Sequence, residues 1–371
     1  MDYTMTTGIA KADAKPGTPG RTRSRTRRIM LVSADASARN RQDAAAGLRP
    51  TPEYVALERD YGVELLDWSN VIRPPTQRTP AGSIRQVGTA LVRSRGVSTF
   101  LSDGEHLGLP LAQALALRPR RPGHVVIAHH LTTPTKRRLL ALPGLAGAVD
   151  SFVVHSQAQV DALVGEAGLS PDQVRLVRYG VDTQFWSGDQ MEEDASLVVS
   201  PGREHRDHVT LAAAMNGLDA RAFVTDGSSH SAAARRRVPD VWPRNIERGS
   251  VSLDELRGLY ARAALVVIPL VATDFPAGIT VAVEAMAMGK PVVISGTVGL
   301  RGALADEASV VGVPPDDPVA LREAIGWLLA DKGRRRELGQ RASHVAREHH
   351  DVRHFARALH DLMDEAGRDN G

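Results

Sequence analysis

Glu284 sits in ITVAVEAMAM, Ile279 to Met288, with Val281, Val283, Ala285 and Met286 around it and no polar side to turn to. A helix this apolar is buried, and a buried carboxylate without a partner is costly, so Glu284 needs one. That partner is either a buried arginine or backbone amide, or a group on a ligand. Pro276 and Gly278 open the helix, so free backbone N–H groups and the positive end of its dipole stand beside the carboxylate as an anion site. One segment thus offers amides to phosphate and a carboxylate to hydroxyls, and a sugar nucleotide presents both together. A second element points the same way. In Ser200-Pro201-Gly202-Arg203-Glu204-His205-Arg206-Asp207 the two arginines are three residues apart, where a strand ends and a helix is about to begin. They can clamp a diphosphate and neutralise the charge that builds as it leaves, or they pair with Glu204 and Asp207 on a solvated loop.

These groups need a scaffold. The 371 residues, 42% of them hydrophobic, suffice for two domains with two cores. Short β-branched runs alternate with helix-length spacers. Those of the first half are 29–33, 63–67, 97–101, 124–128, 152–155 and 174–178. A second series starts afresh with 197–200, 222–225, 264–268, 291–294 and 309–313. Such alternation predicts βα units and parallel sheets. Residues 318–330, 334–347 and 352–365 read as helices. The fold class predicted is α/β: two doubly wound, Rossmann-like domains facing each other across a cleft, with ligands at the carboxyl ends of the strands. The boundaries expected are a first domain over 28–187, a linker over 188–194 and a second domain over 195–350.

Three further residues lie at predicted strand ends of the first domain. His129, with His130 beside it, closes one strand and faces the cleft in this architecture, where it can donate a hydrogen bond to a sugar hydroxyl or leaving oxygen. Asp103 and Glu105 follow another. They hold acceptor hydroxyls, or Asp103 caps the next helix. His349, His350, His354 and His360 are read on polar helix faces; His350 and His354 share the i, i+4 spacing of metal ligands but lack a third, so no metal site is predicted. After the first strand Ser33 leads into ADASARNRQDAAAG, with no glycine before Gly47, which excludes the dinucleotide fingerprint; no cofactor is predicted.

The stretch from Asp274 to Ser295 resembles the C-terminal signature of retaining glycosyltransferase family 4, a GT-B-fold family, in which an acidic residue and a glycine-containing loop precede EAMAxGxPVV; here Glu284 to Val293 read EAMAMGKPVV. The resemblance implies that Glu284 holds the ribose hydroxyls of the donor and that the amides of Gly278, Ile279 and Thr280 meet its diphosphate. It also implies diphosphate binding by Gly202 and Arg203, with Arg206 in place of a usual lysine, and a cleft role for His129. Gly180-Val181-Asp182 with Phe185 is similar to the motif before that family's interdomain linker, and the family's last helix implies that 351–366 cross back to the first domain. One departure stands out. The family's first carboxylate, eight residues before the second, is Pro276 here, and Asp274 is the nearby acid left to meet the donor sugar. The activity implied is metal-independent, retaining transfer of a sugar from a nucleoside-diphosphate sugar to a hydroxyl acceptor. Two alternatives share the fold: a sugar-nucleotide epimerase, and a non-catalytic nucleotide-sugar-binding partner subunit.

The net charge is only +3, and much of the excess lies in residues 1–27, read as a disordered basic tail without the apolar core of a secretion signal. That tail is either a solvated extension or a weak peripheral contact with an anionic membrane; no nucleic-acid partner is predicted. Cysteine is absent, which excludes disulfides and thiolate chemistry and fits a reducing, cytoplasmic setting.

Overall fold

Valine- and isoleucine-rich runs too short for helices become two fully parallel sheets in the computed structural model of the chain, which describes residues 27–34, 38–71, 79–187, 191–202, 204–225 and 237–369. The tail assigned to residues 1–27 lies outside the described residues except for Arg27. That residue opens β1 (Arg27–Leu31) and pairs with Glu64 at 2.7 Å, so the boundary moves back by one.

With β2 (Glu64–Leu66), β3 (Val97–Ser102), β4 (Gly123–Ile127), β5 (Ser151–Val154) and β6 (Val174–Leu176), β1 forms a sheet ordered β2-β1-β3-β4-β5-β6. The second sheet contains β7 (Leu197–Ser200), β8 (Arg221–Thr225), β9 (Ile246–Gly249), β10 (Leu265–Ile268), β11 (Val292–Ser295) and β12 (Val311–Val313), ordered β12-β11-β10-β7-β8-β9. No apolar run in the sequence marks β9. It is an edge strand, IERG, in which Ile246 alone is fully buried, so it lacks the apolar run that marks the others. In both sheets the strand order reverses beside the first strand, between β1 and β3 and between β7 and β10. The crevice outside those strand ends is where such sheets bind ligands.

Twelve helices cover the sheets among the described residues: α1 (Ala38–Ala45), α2 (Glu53–Tyr61), α3 (Pro80–Val92), α4 (Glu105–Leu115), α5 (Pro134–Leu140), α6 (Gln157–Asp161), α7 (His208–Met215), α8 (Leu253–Arg262), α9 (Ile279–Ala287), α10 (Pro318–Leu329), α11 (Lys332–His349) and α12 (Val352–Asp369). No helix among the described residues is long and apolar enough to cross a membrane. The last helix, α12, lies on the first sheet, with Phe355, Leu359 and Met363 packed against Met30, Leu101, Val125 and Ile127. Gly123 is needed beneath it, since a Cβ there would stand 2.5 Å from the Ala366 carbonyl oxygen.

The chain crosses between the sheets twice, side by side: Val181 donates to His350 O and Val352 to Val181 O, each at 2.8 Å. Phe185 and Trp186, which the sequence analysis leaves in the first domain, are buried in the second core against Tyr260. The aromatic pair follows the crossing rather than preceding it. His350 also departs from its expected polar face. It is wholly buried at the crossing, its Nδ1 2.9 Å from Tyr179 O and its Nε2 accepting from the Ala305 amide at 3.2 Å, and burial holds its pKa down to about 4.

Candidate functional site

Glycine at 202 is dictated by what lies above it. The loop after β7 turns there with φ +100°, and a Cβ would stand 1.9 Å from the Arg206 Nη2 atom. Arg206 is 4% exposed and folded into its own loop: Nε donates to Pro201 O and Nη1 to Glu204 O, both at 2.9 Å. Burial draws its pKa down to about 10. The neighbouring backbone ties this loop to the one after β10, with Asp207 donating to Pro269 O and Val271 to His205 O at 3.0 Å each. The structure therefore places Arg206 underneath the switch point of the second sheet, not projecting from it as the clamp reading expects. Arg203 lies outside the described residues. Asp207 caps α7, accepting from the Thr210 amide at 3.0 Å, and pairs with Arg237 at 2.6 Å rather than with Arg206.

The helix mouth expected after β10 is present. Gly278 caps α9 in the left-handed region, φ +81°, and a Cβ on it would press on Ile268 at 3.0 Å. Gly278→Ala is therefore expected to destabilise the fold by about 1–2 kcal/mol, read from the denaturation midpoint; an unchanged midpoint would show that the backbone relaxes there freely. Of the three amides singled out, Ile279 bends back to Pro276 O at 3.3 Å. Ala282 is bonded to Gly278 O at 3.0 Å, and the amides of Thr280 and Val281 have no backbone acceptor among the described residues. Tyr179 packs against the core that includes Ile279, which brings the crossing segment against this mouth.

Two turns along, Glu284 is half-buried, its one described hydrogen bond a long one from the Tyr260 hydroxyl at 3.4 Å. Burial raises its carboxyl to about 8 against the opposing pull of Tyr260 and the Arg206 charge. Arg206 acts on it as a charge without a salt-bridge contact, so among the described residues neither a buried arginine nor a backbone amide fully satisfies it.

Asp274 does not turn to the α9 amides. It reaches the first domain, accepting from Thr132 Oγ1 at 2.6 Å and standing 3.4 Å from His130 Nε2, while Phe275 packs on the His130 ring at 4.4 Å. Gln157 N donates to Arg301 O at 2.9 Å, and Arg301 pairs with Asp161 at 2.5 Å, closing the same side.

The facing wall comes from the first sheet. Asp103, after β3, accepts from Ser33 N at 3.3 Å and Ser33 Oγ at 3.0 Å, across the β1–β3 switch point. His129, after β4, is half-exposed with Nε2 3.7 Å from Asp103. Burial lowers the His129 pKa, but the Asp103, Glu105 and Glu53 carboxylates outweigh it and the net shift is upward. Glu105 is placed differently from expectation. It is 7% exposed, with one oxygen on Lys136 Nζ at 2.6 Å and the other on the His129 amide at 3.1 Å. Both are occupied inside the protein, so it braces the loop that carries His129 instead of meeting an acceptor. Sequence reasoning missed Glu53, the first residue of α2, which Asp103 and His129 both influence. A proline followed by an acid does mark a helix start, but nothing in the spacing tells that this acid faces Asp103.

Residues 197–331 match the family model of glycosyl transferases group 1. A D-inositol 3-phosphate glycosyltransferase of Salinispora tropica is 41% identical over 31% of this chain and 22% of its own length. Its counterpart in Xylanimonas cellulosilytica is 27% identical over 57% of this chain and 56% of its own. The chain thus spans between about a fifth and just over half of these relatives. Among solved structures, sucrose-phosphate synthase from Thermosynechococcus elongatus aligns with TM-score 0.67 at 19% identity, over 91% of this chain and 98% of that one. Anabaena Alr3699/HepE in complex with UDP-glucose aligns with TM-score 0.66 at 14% identity, over 91% and 99%. The second domain thus matches glycosyl transferases group 1 over residues 197–331, and the two reversing parallel sheets with the crossing last helix have the GT-B fold of these solved structures.

Proposed function

We propose that the protein transfers a sugar from a nucleoside-diphosphate sugar, held against the second domain, to a hydroxyl on an acceptor held against the first. The observation that carries this reading is Glu284: a half-buried carboxylate, weakly bonded, at the same helix mouth as the amides of Thr280 and Val281, which have no backbone acceptor among the described residues. Ribose hydroxyls satisfy the first and a diphosphate the second, without strain elsewhere. Stabilisation of the departing diphosphate falls to amides and arginine, and no step calls for a nucleophile from the protein; transfer is assigned as retaining on the family resemblance. The bound UDP-glucose named for the Anabaena structure makes a uridine donor the first to try, and the relatives' names make a polyol phosphate one acceptor to test.

Nucleoside-diphosphate sugars screened by calorimetry, then assayed for transfer by mass spectrometry, test the proposal. Glu284→Gln is expected to weaken donor binding by about 1.5–3 kcal/mol, a tenfold loss or more. It should not weaken the empty protein. With its folded pKa raised, the Glu284 proton supports the fold below the ordinary carboxylate value of 4.5, and that support is lost as pH rises through about 8. Glutamine cannot ionise, so above pH 8 the variant should melt at the same or a higher temperature. Unchanged donor affinity combined with a large drop in melting temperature would instead make Glu284 a structural group.

A further inference from the structure

The acceptor wall has an unusual balance of hydrogen-bonding groups. His155, after β5, is 3% exposed, and its Nδ1 lies 2.8 Å from Val177 O. A carbonyl oxygen only accepts, so Nδ1 carries the proton and Nε2 is a bare lone pair. That atom is buried with no hydrogen-bond partner among the described residues. Burial, with the neighbouring His129 charge, holds the ring down to about 4, so it stays neutral and cannot turn Nε2 into a donor at ordinary pH. The ring is 6.0 Å from that of His129, on the same strand-end face as Asp103.

Asp103 receives Ser33 on one oxygen, while the other is 3.7 Å from His129 Nε2, too far for a good hydrogen bond. Glu53 adds a second carboxylate, and burial with the Asp103 charge pushes it up to about 7. Among the described residues Lys136 is committed to Glu105 and His130 O, Arg41 to Glu58 at 2.6 Å, and Arg49 is hydrogen-bonded to Asn40, which leaves the His129 imidazole, 3.7 Å from Asp103, as the cation facing the carboxylates. Among the described residues the wall thus holds a buried acceptor without a donor, in His155, and two carboxylates that share the one imidazole of His129.

We propose that Glu53, Asp103 and His155 make this wall specific for a neutral or amine-bearing polyol and turn away a phosphorylated one. The proposal rests on the glycosyl-transfer reading above and adds the chemistry of the acceptor. Hydroxyl or ammonium hydrogens fill the bare Nε2 of His155 and the free oxygens of the carboxylates. A phosphate brings acceptors and negative charge to a wall whose carboxylates outnumber its one imidazole, and like charges in a desolvated site repel strongly.

The test uses whichever nucleotide sugar binds the full chain, and two matched acceptor series: inositol, its amino analogue and D-inositol 3-phosphate; glucose, glucosamine and glucose 6-phosphate. In at least one series the neutral or amine form is expected to exceed the phosphate form by about tenfold or more in kcat/KM. Glu53→Gln combined with Asp103→Asn should shrink that ratio by raising the amine acceptor's KM and lowering the phosphate's, with donor KM unchanged, a split that a purely structural role does not produce. Should the double variant fail to fold, the parent protein's own ranking decides. Preference for the phosphate forms, or transfer to none of the six while donor binds, overturns the proposal and leaves the donor reading intact. Failure of every nucleotide sugar to bind sinks the glycosyl-transfer reading, and this inference falls with it.

Discussion

Arg206→Ala is expected to lower the stability of the protein by roughly 3–5 kcal/mol, more than any change at the open face of the cleft. The guanidinium is buried and supplies two charge-assisted hydrogen bonds, to Pro201 O and Glu204 O, each worth about 1.5–3 kcal/mol. Alanine leaves both carbonyls without donors and opens a cavity against Gly202, whose missing side chain is what lets the guanidinium lie there. The loss also reaches the candidate site. Arg206 is the positive charge that offsets the burial of Glu284, so the Glu284 carboxyl should rise further above its already raised pKa of about 8. Urea denaturation of the parent and variant measures the first effect. Arg206→Lys keeps the charge but not the forked pair of bonds, and should fall between the two. A hundredfold loss of turnover with an unmoved denaturation midpoint would put the guanidinium on the substrate, not in the loop.

That difference shows where sequence reading stops. Two arginines after a strand look alike, and only the turn of the Gly202 loop sends Arg206 inward. The buried strands are legible because parallel sheets covered on both faces demand unbroken apolar runs, as in Leu265–Ile268 and Val292–Ser295. β9 is not, because an edge strand needs only one face and IERG offers one apolar residue. Glu284 stands out because its helix is apolar on every side. Glu53 does not, because the charged groups that act on its carboxyl, Asp103 pushing its pKa up and His129 pulling it down, lie 50 and 76 residues further along, at the ends of β3 and β4. Spacing along the chain carries no trace of such a meeting. His350 is hidden for a similar reason. It ends a helix of exposed arginines, and only the double crossing of the chain buries it.

With Arg206 bound inward, the leaving-group chemistry assigned to Ser200–Asp207 falls on Arg203, and Arg203→Ala is expected to lower kcat by about 10²–10³. Under the proposed reaction the glycosidic bond breaks with negative charge growing on the diphosphate, in a site whose other contributions are backbone amides at the mouth of α9. A cation placed there gains interaction as the bond lengthens, so it stabilises the transition state beyond the bound donor. Its removal should therefore appear in kcat more than in donor KM, amounting to roughly 3–4 kcal/mol. Arg203→Lys retains a point charge but loses the bidentate geometry suited to phosphate oxygens, and should recover part of the rate. Added Mg²⁺ or EDTA should move the parent's rate little, since the proposed reaction leaves the departing diphosphate to arginine and amides. Steady-state kinetics of the three proteins, each with and without divalent ion, separate the possibilities. Strict dependence on the ion, with Arg203→Ala turning over near the parent rate, would assign the departing diphosphate to groups other than this loop.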